Sequence, residues 1–503
     1  MFDRRNVMAG GLATASAALA SRGVAAQTSA ERVMIDAHRE IGPLPHIWSK
    51  CAGSDRAAIT LREDWRHDLM RFHRETGLER VRFHGIFADE LGVWGGFGAG
   101  DQPNFQNVDA VYDGLIERGV DPYVELSFMP GRLMSASRHF GFYGANISPP
   151  KDLGQWQQFI TTFTRHLMDR YGKARIGKWY FEVWNEPNLS FFWSGNQAQY
   201  FELYKASVAG VKAVDRDLRV GGPATASIGW IEPFLAYCAV QALPVDFVST
   251  HIYAGDDQRP VFGTAGAYSQ NDMIPAAVAK VRAQIDASPF KGTELWISEW
   301  SSDSPAMIAH VLKGALPHCQ AMSQWAMSSV FEEINVPAFI LKEGDNGWGM
   351  IAQRNIPKPA FNTYKLLHRL GNRQLVSTGP VLASRTEKGI AALVWNLAEA
   401  QQPGGIPGAS NERKVVGQPR RLDVAIHGVR AGQTAAISYV DMARGSPFPM
   451  WRKLGSPRYP GPEQIAQIRS AAELAPPERR QCDANGNLVI DLPAEGVALI
   501  ELA

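Results

Sequence analysis

Two short stretches put a carboxylate where an apolar strand runs out. FEVWNEPN (181–188) carries Glu186 between an amide, Asn185, and a proline, and ISEW (297–300) carries Glu299 before a tryptophan. One acid at a strand end is costly to desolvate. Two acids in different surroundings are useful. One stays protonated and gives its proton to a leaving oxygen, while the other stays ionised and attacks carbon or activates water. That is the chemistry of glycosidic-bond cleavage. A cation such as Arg82 would keep one acid ionised, and a poorly hydrated setting beside Trp184 would keep the other protonated.

The elements that must position these acids alternate. From about residue 43 to 371, short apolar strands follow amphipathic helical stretches. LERVRFH, DPYVELSF, KWYFEVW, LRVGGP, VDFVSTHIY and ELWISEW read as strands. HIWSKCAG near residue 46 serves as the first of the series and SSVFEE (328–333) as the eighth. A doubly wound sheet would need a phosphate-binding glycine turn after its first strand. CAGSDRAA has none there, and GGFGAGD (95–101) reads as a loop. The pattern predicts an α/β fold, a (β/α)8 TIM barrel over 43–371, whose active site lies at the C-terminal ends of its strands. Polar and aromatic groups gather at those ends, including Arg82, His84, Glu186, His251, Tyr253, Glu299, Glu332 and Glu333.

After residue 371 the texture changes to GIAALVWNL, RLDVAIHGV and TAAISYVDM, and DANGNLVIDL carries an Asn-Gly hairpin signal. This predicts an accessory β-sandwich over 372–503, joined by a strand at 27–42. Residues 1–26, with Arg4-Arg5, an Ala/Gly-rich run and a small-residue site at Val24-Ala25-Ala26, read as an export signal resembling the twin-arginine type. The expected location is periplasmic or secreted, or cytoplasmic if that segment is not a working signal.

Lys and Arg total 51 against 50 Asp and Glu, with no basic stripe, which excludes nucleic acid and anionic membrane surfaces as partners. No apolar run is long enough for a membrane span. The four cysteines are scattered without metal-ligand spacing and are expected as free buried thiols. No metal or other cofactor is expected.

RVRFHG (80–85), WNEPN (184–188), HIY (251–253), ISEW (297–300), QWAMSSVFEE (324–333) and GWGMI with PKPAF (347–361), in this order, resemble glycoside hydrolase family 39, the β-xylosidase-like family of clan A. The resemblance implies Glu186 as general acid/base and Glu299 as the nucleophile of a retaining mechanism, with the carboxyl groups about 5–5.5 Å apart. It implies Asn185 on the sugar 2-hydroxyl, Arg82 and Tyr253 orienting the nucleophile, and His84 and His251 near sugar hydroxyls. Trp325 would lie beneath the sugar, Phe128 would form an apolar wall, and Glu332 and Glu333 would grip distal hydroxyls. Neighbours on a strand face opposite sides, so only one of the last two should reach the sugar directly. Ser329 departs from the acid often found there in the family and leaves the sugar less determined. The implied activity is an exo-acting β-xylosidase on xylo-oligosaccharides. The alternatives are another clan A activity (α-L-arabinosidase or uronic-acid glycosidase) and a non-catalytic carbohydrate-binding barrel. Oligomeric state stays open.

Overall fold

A computed structural model describes residues 31–94, 102–332, 349–399 and 417–503. The candidate export signal, the glycine-rich loop 95–101 and Glu333 lie outside the described residues.

The described chain opens with β1 (Glu31–Pro43), which belongs to a sheet completed only by the C-terminal part. The next eight strands are β2 (Ala52–Arg56), β3 (Arg80–His84), β4 (Asp121–Leu126), β5 (Tyr180–Val183), β6 (Arg219–Thr225), β7 (Phe247–His251), β8 (Glu294–Trp300) and β9 (Ala321–Gln324). They pair in chain order, all parallel, and β9 closes onto β2. Helices pack outside. The helix Leu153–Tyr171 shows why: Asp152 caps it by accepting from the Gln155 amide (2.8 Å), and Trp156, Phe159, Ile160, Phe163 and Leu167 form its buried stripe.

Two barrel strands sit elsewhere than the sequence suggests. HIWSK is a turn, with the Ile47 and Ser49 amides donating to the carbonyls of Pro45 and His46. The first barrel strand is instead AGSDR, which has no β-branched or aromatic residue to announce it yet is buried throughout. The eighth is AMSQ, not SSVFEE. Val330 and Phe331 carry the strand-like texture, but the parallel register with β8 belongs to Ala321 and Met322. Beneath the rim, Cys51, Tyr123, Tyr180, Phe247, Trp296 and Ala321 fill the barrel with a contiguous buried cluster.

The second domain adds β10 (Arg373–Thr378), β11 (Val381–Thr386), β12 (Gly389–Trp395), β13 (Arg420–His427), β14 (Thr434–Val440), β15 (Glu478–Gln481), β16 (Asn487–Leu492) and β17 (Val497–Leu502). With β1 they form one nine-stranded sheet, ordered β15-β14-β17-β12-β11-β10-β1-β13-β16, antiparallel except for β1 beside β13. The Asn-Gly turn forms, with the Asp483 amide donating to Asn487 (2.9 Å) and Gly486 at φ 78°. No hairpin follows, because β15 and β16 lie at opposite edges of the sheet. A turn this short between the two edges requires the sheet to fold over on itself, which gives the sandwich its core of Val33, Ile35, Val424, Ile437, Ile490 and Ile500. Two helices absent from the sequence reading, Phe448–Lys453 and Pro462–Ala471, bury Trp451 and Ile468 against Ala352 and Ile356 of the barrel side. All four cysteines are free and buried. Among the described residues, no helix is long and apolar enough to cross a membrane.

One buried acid ties the barrel's last loop to its first helix. Asp68 accepts from Ser328 Oγ (2.5 Å) and Asn355 Nδ2 (2.7 Å). Burial outweighs these bonds and pushes its carboxyl up to about 7. The folded chain therefore holds this proton more tightly than the unfolded chain, and stability falls as pH rises from about 4 to about 7. Asp68→Asn keeps both hydrogen-bond partners without the charge. Urea denaturation across that window should show a shallower slope for the variant, by up to about 1.4 kcal/mol per pH unit, and higher stability than the parent at pH 8. An unchanged slope would refute the assignment.

Candidate active site

Inward-facing residues of β3, β4 and β5 build a charged layer above the aromatic plug. Arg82 is fully buried. Its Nη1 donates to Glu299 Oε1 (2.6 Å), its Nε to Glu182 Oε2 (2.6 Å) and its Nη2 to Asn185 Oδ1 (2.9 Å). Nη2 also lies 2.8 Å from Glu125 Oε2. Burial alone would lower the pKa of Arg82, but Glu182, Glu125 and Glu299 outweigh it and raise it well above its usual value. Tyr123 Oη adds a bond to Glu182 (3.1 Å), and Ser127 Oγ donates to Glu125.

Glu299 reaches this layer through an irregularity. Ile297 pairs with Thr250 and Glu299 with His251, so Ser298 is an extra residue in β8. Strand alternation from the inward Trp296 would have turned Glu299 outward; the bulge turns it in. Its second oxygen accepts from Tyr253 Oη (2.8 Å).

Glu186 arrives by a different device. Trp184 and Glu186 adopt left-handed backbone (φ 70° and 41°), which non-glycine residues enter at a cost of about 1–3 kcal/mol each. The turn is held by the Glu186 amide on the Ala224 carbonyl (2.8 Å) and by Asn188, which bonds the backbone of Ala226 twice. Trp184 donates its indole N–H to Phe192 O (2.9 Å) and packs edge-on to Trp193. Burial first, then the charge of Glu299, pushes the Glu186 carboxyl well above the usual carboxylate range. His251 Nδ1 stands 2.9 Å from Glu186 Oε1 and 3.6 Å from Glu299 Oε2. Burial, then the positive charge of Arg82, pushes its pKa well below the usual value, so it is neutral. One oxygen from each acid and a His251 nitrogen all lie within 4.8 Å of one another.

The remaining expected residues fall into place around this pair, with two exceptions. His84 bonds Glu125 through Nδ1 (2.8 Å), and its Nε2 is 3.9 Å from Glu299. Its ring lies 4.8 Å from that of Trp325, which joins Tyr253 and Phe331 in one buried aromatic cluster. Trp325 fits because β2 carries Gly53 beside it: a Cβ there would be 2.4 Å from the indole. Phe128 is buried against His84, Trp184 and Phe192. The Asn185 amide nitrogen is buried without a partner among the described residues. Glu332, by contrast, is held at the rim by Arg62 (2.6 Å) and Arg56 (3.3 Å) and does not join the pair. Glu333 lies outside the described residues. Ser329 turns to Gly349, whose amide donates to its hydroxyl (3.0 Å). Glu125, Glu182, Tyr123 and Asn188 were missed. The two acids did leave a signal, since each interrupts an otherwise apolar strand. His251, Glu186 and Glu299 could geometrically hold a cation, but a protonated Glu186 is a poor ligand.

Two carboxyl groups so close, one against a guanidinium and one held protonated, are built to break an O-glycosyl bond, and the chain is a glycoside hydrolase. More particularly, it belongs to the glycosyl hydrolases family 39, whose model matches residues 31–488. It is 31% identical over 474 residues to a beta-xylosidase of Caldicellulosiruptor saccharolyticus, spanning 88% of this chain and 92% of that one. It is 31% identical over 483 residues to a beta-xylosidase of Geobacillus stearothermophilus, spanning 90% and 92%. The crystal structure of a monomeric beta-xylosidase from Caulobacter crescentus CB15 superposes with a TM-score of 0.83 at 30% identity, covering 94% of this chain and 99% of that one.

Removing the guanidinium would leave Glu125, Glu182 and Glu299 crowded without a counter-charge. Arg82→Gln should cost about 3–5 kcal/mol of unfolding free energy at pH 8. Urea denaturation at pH 8 measures it; a deficit under 1 kcal/mol contradicts the role given to Arg82.

Proposed function

We propose that the protein is an exo-acting, retaining β-xylosidase that removes terminal β-D-xylose from xylo-oligosaccharides. The observation that supports the mechanism is that one oxygen of Glu186 and one of Glu299 lie within 4.8 Å of each other, below the about 6.5–9.5 Å between carboxyl groups that an inverting enzyme leaves for water. The beta-xylosidases that the chain resembles along its length support xylose as the sugar. A uronic-acid substrate would need a cation free to meet its carboxylate. Arg82, beside the pair, already serves four acceptors.

In the first step Glu299 attacks the anomeric carbon as Glu186 gives its proton to the departing oxygen, and a glycosyl ester forms on Glu299. Esterification removes the negative charge that helped hold Glu186 protonated. The Glu186 pKa drops, so it can take a proton from the incoming water, which releases the sugar with its original configuration. Neutral His251 keeps Glu186 in place without supplying a competing charge. The unpartnered Asn185 amide offers a donor for a ring hydroxyl.

Hydrolysis of a panel of aryl glycosides, with the first product's anomeric configuration followed by NMR, tests the reading. Retention on a β-xyloside is expected; inversion, or no xyloside hydrolysis, would overturn it. Glu299→Ala should abolish turnover. Glu186→Ala should lose about 10²–10⁴-fold on substrates with poor leaving groups, keep the first step on activated ones, and be rescued by azide. Because the raised carboxyl of Glu186 must stay protonated, kcat/KM should fall on the alkaline side. That limb should vanish for Glu186→Ala acting on an activated aryl xyloside.

A further inference from the structure

A second feature lies on the outer face of the sheet domain. Four adjacent strands, β10, β1, β13 and β16, form the floor of an open cleft of about 640 Å³. The strand register sets its floor. One rung runs Thr378, Met34, Ala425, Asn487 and the next runs Val376, Asp36, His427. Val33 and Ile35 point the other way, into the sandwich core, so alternation turns Arg32 and Met34 outward. Between Asp36 and Glu40 the pairing of β1 with β10 slips, and Arg39, in that bulge, joins Arg32 in lining the cleft. Asn485, Asn487 and Thr378 add amide groups and a hydroxyl, the Asn487 Nδ2 being already bonded to Asp483 (3.1 Å).

The charges decide what fits. Among the described residues, neither Arg32 nor Arg39 has an ion pair or a side-chain hydrogen bond. The cleft's own acid, Asp36, is already engaged: it accepts from the His38 amide (3.0 Å) and lies 3.5 Å from His427 Nδ1. Asp423, in register with Arg32 on β13, is not within ion-pair distance of it, and Glu31 is paired with Arg420. Each guanidinium offers the fork that captures a carboxylate bidentately; Asp36, on which the charge of Arg39 acts, lies between them along β1. The floor of Met34, Val376 and Ala425 offers a flat apolar bed for the C–H face of a sugar ring, and the amides and the hydroxyl beside it can meet ring hydroxyls. A volume in this range suits a small ligand.

We propose that this cleft binds a carboxylated saccharide, a uronate unit, as a site separate from the catalytic centre. The proposal does not depend on which sugar the catalytic pair cleaves. It gives the acidic sugar that the barrel cannot pair with Arg82 a place on the sheet domain instead.

Isothermal titration of the full chain with methyl glucuronide, methyl xyloside and inorganic sulfate tests it. Saturable binding of the glucuronide is expected, weaker binding of sulfate, and for the xyloside no heat that depends on the arginines. Arg32→Ala/Arg39→Ala should weaken glucuronide binding by about tenfold or more with an unchanged melting temperature and unchanged aryl glycoside hydrolysis. Ala425→Trp, which fills the floor but keeps both arginines, should weaken it similarly. Four results would overturn the proposal: no saturable glucuronide binding, sulfate binding as tightly as the glucuronide, full affinity in the double variant, or full affinity in Ala425→Trp.

Discussion

The site depends on one buried guanidinium. Arg82 is the counter-charge to Glu125, Glu182 and Glu299 in a buried layer. Burying four charged groups is expensive, and replacing such a network with apolar residues is often neutral or stabilising for a fold. Its presence is therefore explained by what it holds rather than by stability. Arg82 has five N–H donors in a rigid fork, and each of its three nitrogens points at a different strand's acceptor. It fixes Asn185 and Glu299, from β5's end and β8, in one frame. Lysine, with a single nitrogen on a flexible stem, could not do this.

From that frame the electrostatics of the pair follow. Glu299 sits against the guanidinium and Tyr253; Glu186 meets neither and feels instead burial and the charge of Glu299. Two identical side chains a few ångströms apart are thus set in different surroundings, one in contact with Arg82 and Tyr253 and the other not. The difference is also reversible. Anything that neutralises Glu299 lowers the pKa of Glu186, so the state of one acid sets the task of the other. His251 stands between them in its neutral form, and a charged imidazole there would erase the difference.

The sequence revealed most where a residue's position could be counted from a strong strand. FEVW and ELWIS are apolar enough to fix β5 and β8, and Glu186 and Glu299 then fall at their ends. The α/β alternation and the absent phosphate turn were enough for the barrel. What stayed hidden was geometry that breaks alternation. The extra residue at Ser298 and the left-handed backbone at Trp184 and Glu186 leave no compositional trace. AGSDR and AMSQ are hidden for the opposite reason: their surroundings, not their propensity, make them strands. Glu332 shows a third limit. The sequence places it near the rim, but its engagement with Arg56 and Arg62 comes from loops that meet only in three dimensions.

The sheet domain also bears on the catalytic face. Leu393, Trp395, Val497 and Leu499 belong to the barrel's own hydrophobic core, so the two domains share an interior. The contact is sharpest at the helix Pro305–Ala315, which follows β8. Ser304 caps that helix by accepting from the Met307 amide (3.2 Å) and donates to Glu495 of the sheet domain. The Glu495 carbonyl accepts from the Ala306 amide (3.2 Å), and its carboxylate accepts from the Ala398 amide (3.0 Å). One buried glutamate thus joins the helix start to two loops of the sheet. Only four residues separate Trp300, the end of the strand carrying Glu299, from Pro305. A strand that must hold a bulge at its catalytic end gains from a fixed exit, and the sheet supplies it. The second domain is part of what keeps Glu299 aimed at Arg82, independently of any ligand it binds itself.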